Sequence, residues 1–180
     1  MPTNKASNAL PPGVAGLISI NKPYTDEIFI TQKKQIEWRK HPLPLGKYYV
    51  YETKRKDGCG KIIGEFKVCE HRRYSLKSKL ELKFIPPIVV KLGCVGASDL
   101  YKYANGKPIY ANLITNVINY ERPKELNEFI PACEANGNCE KCRFSVWLER
   151  FEDYGCSKKR LSVPPQSWCR VKEEGYVKTF

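Results

Sequence analysis

The chain has 180 residues, which is enough for one domain with a hydrophobic core and a small appendage. Hydrophobic residues make up 42% of it, which excludes a disordered chain, and no apolar run approaches the ~20 residues of a membrane-spanning helix, so we expect no membrane partner. The formal net charge is +12, and residues 1–90 contain 17 Lys and Arg against 8 Asp and Glu. This excess of positive charge favours a polyanionic partner, although a solvated protein surface would explain it as well.

We expect no secretion signal in the N-terminal segment. Residues 1–16 are rich in Pro, Asn, Ala and Gly and predict a flexible lead. The short apolar stretch that follows runs into Asn21-Lys22-Pro23 without a small-residue cleavage site. We therefore expect a cytoplasmic protein, of a prokaryote or of a phage-infected host. In this reducing compartment, clustered cysteines bind a metal more readily than they form disulfides.

The first predicted elements are a strand, a helix and a second strand. Leu17 to Ile20 form a short strand, and Thr25 is expected to cap a helix from Asp26 to about Gln32. The acidic first turn of this helix suits the helix dipole. Gln35 to Arg39 alternate between apolar and polar side chains, which is typical of a half-buried strand.

The middle of the chain predicts two stronger strands and a short helix. The strands are Lys47 to Thr53 and Lys61 to Glu70, both rich in β-branched and aromatic residues. The segment between them, Lys54 to Gly60, is a basic turn that contains glycine. Ser98 to Tyr103 are predicted to form a capped helix that ends at Asn105-Gly106.

The remaining pattern indicates the fold class. Pro108 to Tyr120 predict a strand, Pro123 to Leu126 a helical turn with Pro at its first position, and Pro164 to Val171 a last strand. Many short strands with few helices favour an α+β protein dominated by β structure, a small closed β-barrel with short peripheral helices. We place the barrel at residues 17–130 and a cysteine-containing extension that packs on it at 131–180.

One polar cluster stands out on the second strand. Period-two alternation places Glu37 and Arg39 on one face, opposite Ile36 and Trp38, with Lys34 close in sequence. Two cations beside a carboxylate can bind phosphate, because Arg forks onto two oxygens. They can also perform acid/base chemistry with Lys34 and Glu37 as catalytic groups, if the protein is an enzyme. A surface ion network would show the same pattern.

These residues resemble the ASCH family. Its pattern is Gly-x-Lys-x-x-Glu-x-Arg after a first strand and helix, and Lys34, Glu37 and Arg39 match it. Gln32 stands at the Gly position, which predicts an altered turn between helix and strand. Residues 17–24, Leu-Ile-Ser-Ile-Asn-Lys-Pro-Tyr, are similar to the family's opening, and residues 61–66, Lys-Ile-Ile-Gly-Glu-Phe, to its central strand.

The resemblance implies a PUA-like β-barrel with a basic cleft between barrel and first helix. Carried over by position, the cleft is lined by Lys34, Glu37 and Arg39, with further ligand contacts from Lys22, Tyr51 and Lys54. The implied function is binding of nucleic acid, RNA above all, or of a nucleotide-like ligand. The alternatives are a small hydrolase of modified nucleosides or of RNA, and a phage-encoded protein-interaction factor.

The extension contains the only dense cysteine cluster. Its members are Cys133, Cys139, Cys142 and Cys156, and Cys169 could replace the last. Cys139-x-x-Cys142 suits a structural zinc ion, because two thiolates from one turn reach the same metal, although reduced loop thiols explain the cluster equally well. Cys69 and Cys94 are expected in the core or in strands. Trp168 is read as a base-stacking platform or as a core residue.

Overall fold

The computed structural model describes residues 9–132, 145–148, 153–156 and 160–173. Within these residues, three short α-helices accompany eight strands and three short 3₁₀ segments. The helices are α1 (Tyr24–Phe29), α2 (Pro87–Leu92) and α3 (Ala97–Ala104). The strands are β1 (Val14–Ile20), β2 (Ile36–Arg39), β3 (Gly46–Glu52), β4 (Ile62–Tyr74), β5 (Ile109–Lys124), β6 (Ser145–Leu148), β7 (Asp153–Cys156) and β8 (Trp168–Lys172). The 3₁₀ segments are Arg55–Asp57, Lys79–Phe84 and Leu126–Glu128.

Six strands form one mixed sheet in the order β2-β5-β4-β3-β1-β8. β1 and β3 run parallel, and every other pair in the sheet is antiparallel. β6 and β7 form a separate hairpin. The prediction of a strand-dominated α+β fold is confirmed. The prediction that the barrel is closed was wrong. Among the described strands, no hydrogen-bonded ladder joins β2 to β8, so the sheet is open between its two ends.

The core has three parts that the sheet separates. Apolar side chains of β1, β3 and β4 pack under α1 on one face, where Tyr48 contacts both Phe66 and Trp168. The other face of β1 and β3 packs against Phe129 and Val171. A third cluster fixes α3 and the 3₁₀ segment Lys79–Phe84 against β2 and β5. Trp168 is therefore a packing residue, which is one of its two predicted roles.

Gln32 lies in the turn from α1 to β2, at the position where the family pattern has glycine. Gln32 has a φ of 54°, in the left-handed region that glycine enters without steric cost. Gln32 adopts this conformation at a steric cost, and the change of the turn relative to the family stays a prediction.

Several local predictions fail for identifiable reasons. Thr25 is not the N-cap of α1, because it is buried within the helix and its hydroxyl donates a hydrogen bond to Glu52. Pro23 stands at the N-cap position and makes no side-chain hydrogen bond there. Pro123 lies within β5, and the helical turn begins three residues later. Cys69 lies in strand β4, as one of its two predicted placements, and is exposed. Cys94 lies in neither predicted place, because it is half-buried in the turn between α2 and α3 with a φ of 51°.

The C-terminal segment returns to the main sheet. β8 pairs with β1, and Leu161 and Ala132 form backbone hydrogen bonds with Phe129 and Arg170. The division into a barrel at 17–130 and an extension stays a prediction. Among the described helices, none is both long and apolar enough to cross a membrane.

Candidate functional site

A cleft of about 1090 Å³ opens where the two ends of the sheet approach each other. One wall is β2, followed by α3. The opposite wall consists of the carboxyl ends of the parallel strands β1 and β3, and residues 162–166 close one side. Five of the six predicted ligand-contact residues line this cleft: Lys34, Glu37, Arg39, Tyr51 and Lys54.

Lys34 lies at the floor of the cleft and is 3% exposed. Its Nζ donates to the carbonyl of Ile36 at 2.8 Å and to that of Gly93 at 2.7 Å, and it lies 3.3 Å from Glu37 Oε2. An ammonium group has three donors, so these contacts use all of them. Lys34 thereby fastens the loop after α2 to β2.

Arg39 continues this chain of charges across the opening of the sheet. Its Nη2 lies 2.9 Å from Glu37 Oε1 and also donates to the carbonyl of Ser19 in β1 at 2.9 Å. Its Nη1 donates to the hydroxyl of Ser167 at 3.3 Å. The guanidinium therefore joins the first strand of the sheet order to the strands at the other end, where no backbone ladder is described.

The three motif residues consequently form a strut between the cleft walls, in which the Nε–H of Arg39 alone is buried without a hydrogen-bond partner among the described residues. Both carboxylate oxygens of Glu37 have a cationic partner, and the carboxylate is 9% exposed. A buried ion chain of this kind is costly to break, because each unpaired charge keeps its desolvation penalty. Its geometry suits holding the cleft walls in position.

The uncommitted cations lie on the loop between β3 and β4. Lys54 and Arg55 line the cleft, are exposed, and form no ion pair with any residue that the structure describes. Lys22 lies beside α1, with Nζ 3.9 Å from Asp26 Oδ1, and it is not among the described residues that line the cleft. Positive charge for a ligand is thus concentrated at one end of the cleft.

Tyr51 and Thr53 bring hydroxyl groups to that same end. Tyr51 is 5% exposed, and burial, together with the nearby Cys59 and Glu125, raises the pKa of its phenol. Its hydroxyl has no hydrogen-bond partner among the described residues. The Thr53 hydroxyl donates to the side-chain oxygen of Asn21 at 2.5 Å, and both residues line the cleft.

A buried carboxylate holds the basic loop in place. Glu52 is 4% exposed and accepts hydrogen bonds from the Thr25 hydroxyl and from the backbone N–H of Cys59, both at 2.7 Å. Burial opposes ionisation of Glu52, but the bonds from Thr25 and Cys59 and the charge of Lys22 outweigh it and lower its pKa. Sequence reasoning missed this residue, because its partners lie in two different segments.

The segment 162–166 was also missed as a cleft wall. The hydroxyl of Ser19 donates to the carbonyl of Pro165 at 2.6 Å, and the backbone N–H of Ser19 donates to Ser167. Arg160 anchors the other end through the carbonyls of Asn127 and Glu128. The Pro164-Pro165 pair was the available signal, since it marks a stiff extended segment.

The zinc prediction is not tested by the described residues. Cys133, Cys139 and Cys142 lie outside them, and only the backbone of Cys156 is described, in β7. Within the described ranges no three His, Cys, Asp or Glu side chains come together in a metal-binding group. Cys59, Cys69, Cys94 and Cys169 have free thiols.

Solved structures share the fold of this chain. The ASCH protein from Zymomonas mobilis matches with a TM-score of 0.56 and 16% identity over 89% of each chain. A serine-to-alanine variant of that protein gives a TM-score of 0.54 at 16% identity, over 88% of this chain and 89% of the other. No family model matches the chain, and neither does a curated protein. The chain therefore has an ASCH-like fold, as the spacing of Lys34, Glu37 and Arg39 predicted.

Proposed function

We propose that the cleft binds single-stranded nucleic acid, RNA above all, with its phosphates at Lys54 and Arg55. The observation that carries this proposal is the contrast between two sets of cations. Lys34 and Arg39 are occupied by protein acceptors, whereas Lys54 and Arg55 line the same cleft without an ion-pair partner among the described residues. Cations left unpaired at a cleft attract phosphate groups, which release counterions on binding.

The other lining residues suit the remainder of a nucleotide. Tyr103 is 40% exposed, and Lys40 Nζ lies 5.2 Å from its ring centre. Aromatic rings with an exposed face stack nucleobases with little dependence on sequence. The Tyr51 hydroxyl and the Asn21 amide supply hydrogen-bonding groups for a sugar or a base edge. The cleft volume slightly exceeds that of most small-molecule pockets, about 300–1,000 Å³, which favours a strand over an isolated nucleoside.

The hydrolase alternative has less support from the geometry. General acid/base catalysis requires a group within hydrogen-bond reach of the substrate proton. Lys34 uses its three donors on protein groups, and Glu37 has a cation at each oxygen. Either residue would have to leave the strut before it could exchange a proton with a substrate, so we favour binding.

The test is a low-salt titration of labelled single-stranded RNA, duplex RNA and single-stranded DNA with two matched double variants. Lys54→Ala/Arg55→Ala removes the cleft cations, and Lys67→Ala/Lys107→Ala removes two exposed lysines outside the cleft lining. We expect the first variant to weaken RNA binding about tenfold or more, and the control to retain most of it. Equal losses in both variants, or no RNA binding by the parent chain, would refute the proposal.

A Lys34→Ala/Arg39→Ala variant answers a different question. Because both residues hold the cleft walls, a loss of binding in that variant reports on the folded cleft as much as on ligand contact. Its unfolding curve has to be measured beside its RNA affinity.

A further inference from the structure

A second surface, away from the cleft, combines exposed apolar side chains with uncommitted lysines. Leu80 is 75% exposed, Phe84 70% and Ile88 56%. They lie on the consecutive 3₁₀ segment Lys79–Phe84 and helix α2, whose buried and half-buried side chains pack in the cluster that fixes α3. We name these three side chains with Lys77, Lys79, Lys83 and Lys91 the outer helical face.

The lysines of the outer helical face are available to a partner. All four are exposed, and none forms an ion pair with a described residue. Glu81, the one acidic residue in the segment, turns its carboxylate back onto the N–H groups of Lys77 and Ser78. The face therefore presents positive charge beside apolar groups, and Lys83 Nζ lies 5.2 Å from the ring centre of Phe84.

We propose that the outer helical face docks an acidic, apolar-anchored segment of a partner protein. Charge complementarity selects an acidic partner, because carboxylates at the rim would meet lysines that no described group neutralises. Large apolar side chains inside a charged rim are the usual arrangement of a protein interface. Two of the three anchors are aliphatic and offer no aromatic ring for stacking a base, which disfavours nucleic acid on this face.

The probe is a set of synthetic 15-residue peptides that carry Leu and Phe anchors among Asp and Glu. One control peptide replaces Asp and Glu by Asn and Gln, and another replaces the anchors by Ser. Binding to the full chain is followed by fluorescence anisotropy, and the contact surface is mapped by backbone amide shifts. We expect the acidic anchored peptide to bind and to shift amides of residues 77–91, with each control peptide about tenfold weaker or worse.

Variants of the protein locate the contact. Phe84→Ser should weaken binding of the acidic peptide about tenfold, because an apolar anchor of the interface is lost. The control Ile30→Ser changes an equally exposed residue at the end of α1 and should leave the affinity for the peptide unchanged. RNA titration of Phe84→Ser is expected to match the parent chain, which separates this surface from the cleft. No peptide binding, equal effects of the two substitutions, or amide shifts confined to the cleft would overturn the proposal. Phe84-dependent capture by anionic phosphatidylglycerol vesicles or by RNA, without peptide binding, would overturn it as well.

Discussion

The salt dependence of RNA binding distinguishes the cations that reach phosphate from those that hold the cleft. Each phosphate contact on a single strand contributes about −0.7 to the slope of log affinity against log salt. If Lys54 and Arg55 are the contacts, the slope is about −1.4, and raising salt from about 50 to 200 mM weakens binding about sevenfold. If Lys34 and Arg39 also contact phosphate, the slope is about −2.8 and the same change weakens binding about fifty-fold.

The assay is fluorescence anisotropy of a labelled RNA strand across that salt range. In Lys54→Ala/Arg55→Ala the slope should fall towards zero, because no uncommitted cation then lines the described part of the cleft. The Lys67→Ala/Lys107→Ala control should keep the slope of the parent chain. A slope near −2.8 in the parent that stays at about −1.4 after removal of Lys54 and Arg55 would refute the reasoning that the strut is closed to ligand.

Four further predictions concern the supports of the cleft and the turn that precedes β2. Lys34→Met should lower the free energy of unfolding in urea by about 3 kcal/mol, because the buried Glu37 carboxylate loses one of its two cationic partners and the carbonyls of Ile36 and Gly93 lose a donor. The pKa of Glu52 is lowered in the fold, so its ionised carboxylate adds to the free energy of unfolding above its usual pKa of 4.5, and this stabilisation is lost as the pH falls below that value. The free energy of unfolding of Glu52→Gln, measured against pH, should therefore fall less in acid than that of the parent chain. Gly93→Ala should cost about 1–3 kcal/mol, since an added Cβ would lie 2.0 Å from Trp38 Nε1. Gln32→Gly, at an exposed residue with a φ of 54°, should stabilise the chain by about 1 kcal/mol in the same assay.

The sequence predicted the strands and the polar cluster because both depend on local patterns. Alternation identified β2, and β-branched and aromatic content identified β3 and β4, within one to four residues at their ends. Asn105, with a φ of 48°, ends α3 as expected. α2 was missed because a short apolar run such as residues 85–90 has no periodicity that separates a strand from a helix.

The partners of the site could not be predicted, because they lie far away in sequence. Lys34 binds the carbonyl of Gly93, 59 residues away, and Arg39 reaches Ser167, 128 residues away. Thr25 illustrates the same limit. Its position favours an N-cap, but the fold brings the buried acceptor Glu52 within 2.7 Å, and that bond replaces the local one.

The strut and the open sheet explain each other. A sheet that closes into a barrel satisfies its edges by backbone bonds, whereas here β2 and β8 lie at opposite ends of the strand order. Arg39 spans that opening through hydrogen bonds to Ser19 and Ser167. Glu37 pairs with the Arg39 guanidinium and is itself paired with Lys34, which holds the guanidinium in place. A ligand-sized cleft can persist at the opening because side chains, rather than a ladder, join its walls. Because Lys34 and Arg39 serve this task, the proposed function assigns phosphate recognition to Lys54 and Arg55, which lie outside the strands of the sheet.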